Sequence, residues 1–167
     1  MKTNKKRIFS IIVFAICVLF LIWVIVLKFG LAELSIKGRR SPVNLIPFGA
    51  SVISNGRADI SEIVLNALIF IPFGISISMV GRPEKTLFKV LGGAALSLAF
   101  ETVQYVFCAG AADITDVITN TVGTAAGVFA YIPLKKLLKG RTETILGICL
   151  LALMTFFFAA LTFLTHA

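Results

Sequence analysis

Six acidic and amide side chains interrupt otherwise apolar stretches of this chain at three- and four-residue spacing. They form three pairs: Glu62 with Asn66, Glu101 with Gln104, and Asp116 with Asn120. Residues three or four apart share one face of a helix, so each pair should project in a single direction. Ionisable groups within a membrane are costly and usually face a bundle interior or a wet cavity, where they tend to be functional. The pairs therefore predict a polar site inside a helical membrane protein.

Three chemical roles remain open for this site. Glu101 and Asp116 are the catalytic candidates, because two carboxylates in a low-dielectric site can divide the roles of general acid and general base. Carboxylates with amide oxygens can instead bind a hard cation such as Mg²⁺ or Ca²⁺. A hydrogen-bond network that only joins helices is the third role, although each such bond is typically worth about 1 kcal/mol. The sequence carries no P-loop, GxGxxG, HExxH or GxSxG motif, and it leaves any cofactor or metal undetermined.

The composition places these pairs in a membrane. Of the 167 residues, 58% are hydrophobic, and the mean hydropathy is +0.99. A helix needs about 20 apolar residues to cross roughly 30 Å of hydrocarbon, and five runs fit: Ile8–Phe29, Glu62–Val80, Leu87–Phe107, Ile114–Leu134 and Ile145–Thr165. The first is too long for a cleaved signal and has no small-residue cleavage site, so we expect an uncleaved anchor. The prediction is an all-α integral membrane protein, a five-transmembrane-helix bundle in one domain of residues 1–167.

The net charge of +8 follows the predicted topology and does not indicate a nucleic-acid partner. Eleven of the 16 basic residues lie in segments on the side of the N-terminus, and five lie in or next to the first long loop on the other side. Because cytoplasmic loops carry the excess of Lys and Arg, the N-terminus should be cytoplasmic and the C-terminus extracellular. The expected partners are the lipid bilayer of the plasma membrane and its anionic headgroups.

The first external loop, residues 30–61, contains an apolar segment of ten residues that begins at Asn44. Ten residues are too few to cross a bilayer, and their number suits a re-entrant or interfacial segment. Pro47 and Gly49 break regular helix, which is tolerated at membrane depth only against protein or a wet cavity. We therefore expect the Asn44–Phe48 segment to cap the polar cluster.

Small residues predict where helices approach each other closely. Gly123 and Gly127 form a GxxxG pattern in the fourth run, and we expect it to pack inside the bundle and not to form a homodimer. Gly92–Ala95 in the third run is the expected facing surface. The oligomeric state is not determined by this pattern.

Four segments in order, over roughly Ser41 to Tyr131, resemble the VanZ-like family of small membrane proteins. They are Asn44-Leu-Ile-Pro-Phe; Glu62 with Asn66-Ala-Leu-Ile-Phe-Ile-Pro-Phe-Gly; Glu101-Thr-Val-Gln-Tyr; and Asp113-Ile-Thr-Asp-Val-Ile-Thr-Asn-Thr-Val-Gly with Gly127. The resemblance implies a cell-envelope protein linked to glycopeptide tolerance, of the kind known from teicoplanin resistance in Gram-positive bacteria. Many members carry a basic residue just ahead of Asp113, where this chain has alanine at positions 111 and 112.

Together these features predict a membrane factor that binds or alters a lipid-linked cell-wall precursor or an anionic lipid headgroup. Arginines of the external loop would meet phosphate, and the acids and amides would meet sugar or amine groups. The candidate ligand-binding residues are Asn44, Glu62, Asn66, Glu101, Gln104, Asp113, Asp116, Asn120, Arg39, Arg40 and Arg57. A membrane enzyme acting on a lipid or lipid-linked precursor is the alternative, and a structural protein without a ligand is the third.

Overall fold

The structure, a computed structural model, describes residues 2–25, 43–48, 53–54, 57–58, 60–81, 85–107 and 112–166. Its helices are α1 (Lys2–Leu21), α2 (Ile60–Val80), α3 (Thr86–Val106), α4 (Ile114–Leu138) and α5 (Thr142–His166), with a 3₁₀ turn at Lys139–Arg141. Four two-residue strands accompany them: β1 (Val43–Asn44), β2 (Ile53–Ser54), β3 (Arg57–Ala58) and β4 (Ala112–Asp113). Strand β1 pairs in parallel with β4, and β2 pairs antiparallel with β3.

Within the described residues, four helical runs are long and apolar enough to cross a membrane: Asn4–Ile25, Ile63–Val80, Thr86–Val106 and Ile114–Phe163. The predicted helical membrane architecture is thereby confirmed. The last run is 50 residues long because it takes α4, the 3₁₀ turn and α5 together. The sequence predicted two spans there, so the number of crossings stays a prediction.

Helix α5 lies beside α1, and the backbone at the 3₁₀ turn shows where the chain changes direction. Lys139 is the C-cap of α4 and has a φ of 49°. Because a right-handed helix cannot continue through a residue in the left-handed region, α4 ends there. The Lys6 ammonium group at the start of α1 donates to the Gly140 carbonyl. Farther along, the rings of Trp23 and Phe158 lie 4.5 Å apart. Helices α1 and α5 therefore run in the same direction from a shared end.

Helices α2 and α4 make the most extensive helix–helix contact. A Cβ placed on Gly123 would collide with the Ala67 backbone, and one on Gly127 would lie 2.9 Å from the Gly74 Cα atom. Glycine at these positions lets the two backbones approach closely. The glycine pair itself contacts α2, so the prediction that Gly92–Ala95 is its facing surface was wrong. Gly93 of that segment nevertheless packs closely on α4 beside the pair, because a Cβ on it would collide with the Thr124 side chain.

Aromatic side chains fill the interior next to the polar cluster. Phe70 of α2 is fully buried, and its ring lies 6.0 Å from that of Phe73 and 6.4 Å from that of Phe100 on α3. The Phe14 ring of α1 lies 5.7 Å from the Phe73 ring. Because Phe70 follows Asn66 by one helical turn and Phe100 adjoins Glu101, this layer forms an apolar floor under the polar cluster.

Candidate binding site

Asp113 joins three elements at the start of α4. It is 5% exposed, and as the N-cap it accepts a hydrogen bond from the Thr115 backbone N–H at 2.7 Å. Its second carboxylate oxygen accepts from the Asn44 side-chain amide at 3.0 Å. Its backbone N–H donates to a carboxylate oxygen of Glu101 at 2.9 Å. Aspartate suits an N-cap because its oxygen satisfies a backbone donor that the helix leaves open.

The Asn44–Phe48 segment lies against the start of α4. The Ile46 backbone N–H donates to the Asn44 side-chain oxygen at 3.1 Å, the pattern of an Asx turn. The Phe48 N–H donates to the Thr115 hydroxyl at 3.1 Å, and β1 pairs with β4. The side chains of Leu45 and Ile46 are 73% and 70% exposed. The segment is therefore attached through polar groups while its apolar side chains face outward.

Two further bonds connect α4 to its neighbours. The Asn66 amide of α2 donates to an Asp116 carboxylate oxygen at 2.7 Å. One turn deeper, the Asn120 amide donates to the Ser97 hydroxyl of α3 at 2.8 Å. The close approach of α2 and α4 brings Asn66 within reach of Asp116. These bonds place the start of α2, the end of α3 and the start of α4 together.

Glu101 supplies the third carboxylate of this cluster. It is 6% exposed. When ionised, its carboxylate is repelled by the nearby carboxylates of Asp113 and Asp116. The structure thus collects three acidic side chains at one end of the bundle: Glu101 of α3, the N-cap Asp113 and Asp116 of α4. Among the described residues, no three His, Cys, Asp or Glu side chains are arranged to hold a metal ion.

Some predicted site residues lie elsewhere or outside the described part of the structure. The Gln104 amide donates to the carbonyl of Ile25, which follows α1 at the end of the first candidate span, at 3.4 Å. It therefore contacts this segment and none of the carboxylates described above. Glu62 belongs to α2 and Arg57 to β3 by their backbones. The structure describes neither the side chains of Glu62 and Arg57 nor any part of Arg39 and Arg40.

Two hydroxyl residues of the site were missed from the sequence. The Thr115 hydroxyl accepts a hydrogen bond from the Phe48 backbone N–H. The Ser97 hydroxyl accepts one from the Asn120 side-chain amide. Ser97 is four residues before Glu101 and shares its helix face, a spacing that could have indicated it. An aspartate followed by a long helix could similarly have indicated Asp113 as an N-cap.

Comparison with known proteins agrees with the resemblance described above. A family model described as VanZ/LLP1 matches residues 11–139. Protein VanZ from Enterococcus faecium is 38% identical over 112 residues. That alignment covers 66% of each chain, so this chain spans just under two thirds of the relative's length. No solved structure gives a significant match.

The family match contains the described residues of the polar cluster, from Asn44 to Asn120. It also contains the second and third candidate membrane spans completely and the first from residue 11 onward. The resemblance carried by the four sequence segments is thereby confirmed. The chain is a multi-pass membrane protein and belongs to the VanZ/LLP1 family.

Proposed function

We propose that this protein lowers susceptibility to glycopeptides, teicoplanin above all, by binding or altering a cell-envelope component at its polar cluster. The family and the Enterococcus relative named VanZ support the glycopeptide link. The observation that carries the proposal is the set of cross-element bonds formed by Asn44, Asn66 and Glu101 with α4. They gather acids and amides from distant parts of the chain into one cluster, in which Glu101 and Asp113 are buried.

We further propose five crossings in one domain of residues 1–167, with the motif-bearing core at about 41–131. A continuous 50-residue helix would be about 75 Å long at 1.5 Å per residue, far more than the roughly 30 Å of hydrocarbon. Two crossings, α4 and α5, separated at Lys139–Arg141 fit the bilayer better. Alternate helices then point in opposite directions, and the C-terminus lies across the membrane from the N-terminus.

The orientation puts the N-terminus in the cytoplasm and the polar cluster in the outer leaflet. Two contacts support it: Lys6 reaches Gly140 at one end, and Gln104 reaches Ile25 near the other. The basic residues near Lys6 and the α4–α5 turn therefore share one end, which the positive-inside rule assigns to the cytoplasm.

In this position the site can receive a lipid-linked cell-wall precursor or an anionic lipid headgroup from the outer leaflet. The proposed division is that Arg39, Arg40 and Arg57 meet phosphate, while the acids and amides meet sugar or amine groups. A second candidate is a membrane enzyme in which Glu101 and Asp116 act as acid and base. The position of both carboxylates at one end of the bundle favours it, since Glu101 accepts from the Asp113 backbone N–H and Asp116 accepts from Asn66.

The proposed function is tested by antibiotic susceptibility of a sensitive Gram-positive host. Strains with empty vector, the wild-type chain, or the Glu101→Gln and Asp116→Asn variants are compared at matched membrane levels. We expect wild type to raise the inhibitory concentration of teicoplanin more than that of vancomycin, and each variant to lose the effect. A well-expressed wild type that changes neither concentration would remove the resistance function for this protein.

The orientation is tested by labelling intact cells with an impermeant thiol reagent. In a background without Cys108 and Cys149, a cysteine is placed by Gly110→Cys ahead of α4, or by Gly140→Cys at the α4–α5 turn. We expect the first variant to react in intact cells and the second only after permeabilisation. The reverse pattern would overturn the orientation, and reaction of both in intact cells would argue against five crossings.

A further inference from the structure

A buried amide at the inner end of the polar cluster has an unmet hydrogen bond. Asn120 is 4% exposed. Its side-chain nitrogen donates to Ser97, but its side-chain oxygen has no partner among the described residues. Turning the amide over would leave the nitrogen unpaired instead, because an amide is a donor at one end and an acceptor at the other. Buried polar groups normally find a partner, so this atom indicates a missing one.

The Asn120 side chain points into the cluster. Side chains on a helix tilt toward its N-terminus, so the Asn120 amide lies over the turn that carries Asp116. Ser97 holds this amide from α3, and Glu101 follows Ser97 by four residues, or about 6 Å along the helix. Two carboxylates, Asp116 on α4 and Glu101 on α3, therefore lie roughly one helical turn along the bundle from the Asn120–Ser97 pair.

We propose that this inner end is a subsite for a primary ammonium group carried by an envelope lipid or a lipid-linked molecule. The inference rests on the proposed function, because it names the chemistry of that ligand. A primary ammonium group offers three donors and no acceptor. The matching acceptors are the Asn120 oxygen and carboxylate oxygens of Glu101 and Asp116. A carboxylate has about four acceptor positions, so Asp116 can serve both Asn66 and the ligand.

The carboxylates favour an ammonium group over a neutral hydroxyl. Opposite charges attract more strongly in a buried site than in water, and hydrogen bonds to charged partners are stronger than neutral ones. A trimethylammonium group keeps the charge but has no N–H to donate to Asn120. The subsite should therefore distinguish a primary from a quaternary amine.

The test measures lipid binding to the purified full chain in detergent by native mass spectrometry. Phosphatidylethanolamine, phosphatidylcholine and phosphatidylglycerol with identical acyl chains supply an ammonium, a trimethylammonium and a hydroxyl headgroup. A palmitoylated peptide with one lysine, free or acetylated on its side chain, represents a lipid-linked peptide. We expect at least one free-amine probe to bind about tenfold more tightly than its blocked counterpart, the effect of a hydrogen bond to a charged group.

The set of probes that shows the preference, phospholipids or peptides, identifies the source of the amine. A preference within the phospholipids alone indicates a phospholipid amine, and one within the peptides alone indicates a lysine side chain. Either result supports an ammonium subsite. Equal binding of free and blocked amines in both pairs would overturn it. So would a preference that disappears when millimolar Mg²⁺ is added at constant ionic strength, which would instead indicate a cation site.

Variants locate the subsite. Asn120→Leu removes the acceptor at similar volume and should abolish the preference, whereas Asn120→Asp retains an oxygen and should keep it. Thr102→Val is the matched control, because Thr102 adjoins Glu101 on the exposed side of α3 and bonds only within its own helix. If Asn120→Leu does not fold, loss of the preference in Asn120→Asp with unchanged unfolding temperature would overturn the assignment.

The ammonium subsite and the resistance function are contradicted by different experiments. Unselective lipid binding by a wild type that still protects against teicoplanin would overturn the ammonium subsite alone. Selective amine binding by a wild type without any effect on susceptibility would overturn the resistance function and leave the subsite standing.

Discussion

The two ends of the helix bundle use polar side chains in different ways. At the end that carries the cluster, side chains bond to other side chains on separate elements, as in Asn66 with Asp116 and Asn120 with Ser97. At the opposite end, Lys6 donates to the Gly140 backbone carbonyl. The hydroxyl of Thr142 likewise donates to the Lys139 backbone carbonyl.

Polar groups at the opposite end satisfy backbone carbonyls where helices end, whereas polar groups of the cluster bond to one another between helices. Every helix leaves carbonyls unsatisfied at its end, so bonds such as those from Lys6 and Thr142 are expected in any bundle. Side chain–side chain bonds between helices instead require the helices to be held at a fixed depth. The polar end should therefore depend on helix packing, and the opposite end should tolerate change.

The largest effect should follow Gly123→Val in the α2–α4 contact. The added carbons would meet the Ala67 backbone, which cannot move without separating the helices. We expect the free energy of unfolding to fall by about 3 kcal/mol or more, as in severe overpacking. Thermal unfolding in detergent and membrane yield measure the effect.

The matched control is Gly140→Ala at the opposite end, where an added Cβ has nothing within 4 Å. It should unfold at the wild-type temperature. If both substitutions lower the unfolding temperature equally, the cause would be the loss of glycine's backbone freedom and not the close contact between α2 and α4.

A smaller loss is expected for Asp113→Ala, which tests whether the capping segment depends on this residue. Losing the N-cap costs about 1 kcal/mol, and losing the bond from Asn44 costs about another 1 kcal/mol. Stability measured by chemical or thermal unfolding should therefore fall by about 2 kcal/mol in total. Asp113→Asn retains an acceptor for the Thr115 N–H and should lose less. An unchanged unfolding temperature in Asp113→Ala would contradict the role of Asp113 as the joint between β1, α3 and α4.

The smallest effect is expected for Lys6→Met at the opposite end. Lys6 is exposed, and the substitution removes one bond to a backbone carbonyl. The free energy of unfolding should stay within about 0.5 kcal/mol of wild type, as for most surface substitutions. Teicoplanin susceptibility should also equal that of wild type. A loss of protection at normal membrane levels would show that the two ends are coupled.

The sequence could predict the helices and much of the polar cluster for a simple physical reason. Apolar runs of membrane length determine where helices lie. Because successive helices alternate in direction, residues near the start of one and the end of the next share a depth. The structure accordingly brings Asn66, Asp116 and Glu101 to the same end of the bundle.

The remaining details depend on packing that periodicity does not contain. Gln104 shares a helix face with Glu101, yet its amide reaches the Ile25 carbonyl because the end of the first candidate span passes that side of α3. The Gly123 and Gly127 pattern indicates a close contact but not its partner, which Gly74 on α2 decides. Ser97 becomes part of the site only because Asn120 lies opposite it.

Glu101→Gln distinguishes a polar end that binds a ligand from one that only holds helices together. Glutamine keeps the oxygen that accepts the Asp113 backbone N–H but removes the negative charge. In one set of strains, folded protein in the membrane and teicoplanin susceptibility are both measured. If the polar end binds a ligand, we expect wild-type amounts of folded protein with protection lost. Reduced folded protein, with protection falling only in proportion, would contradict it and assign the cluster a structural role.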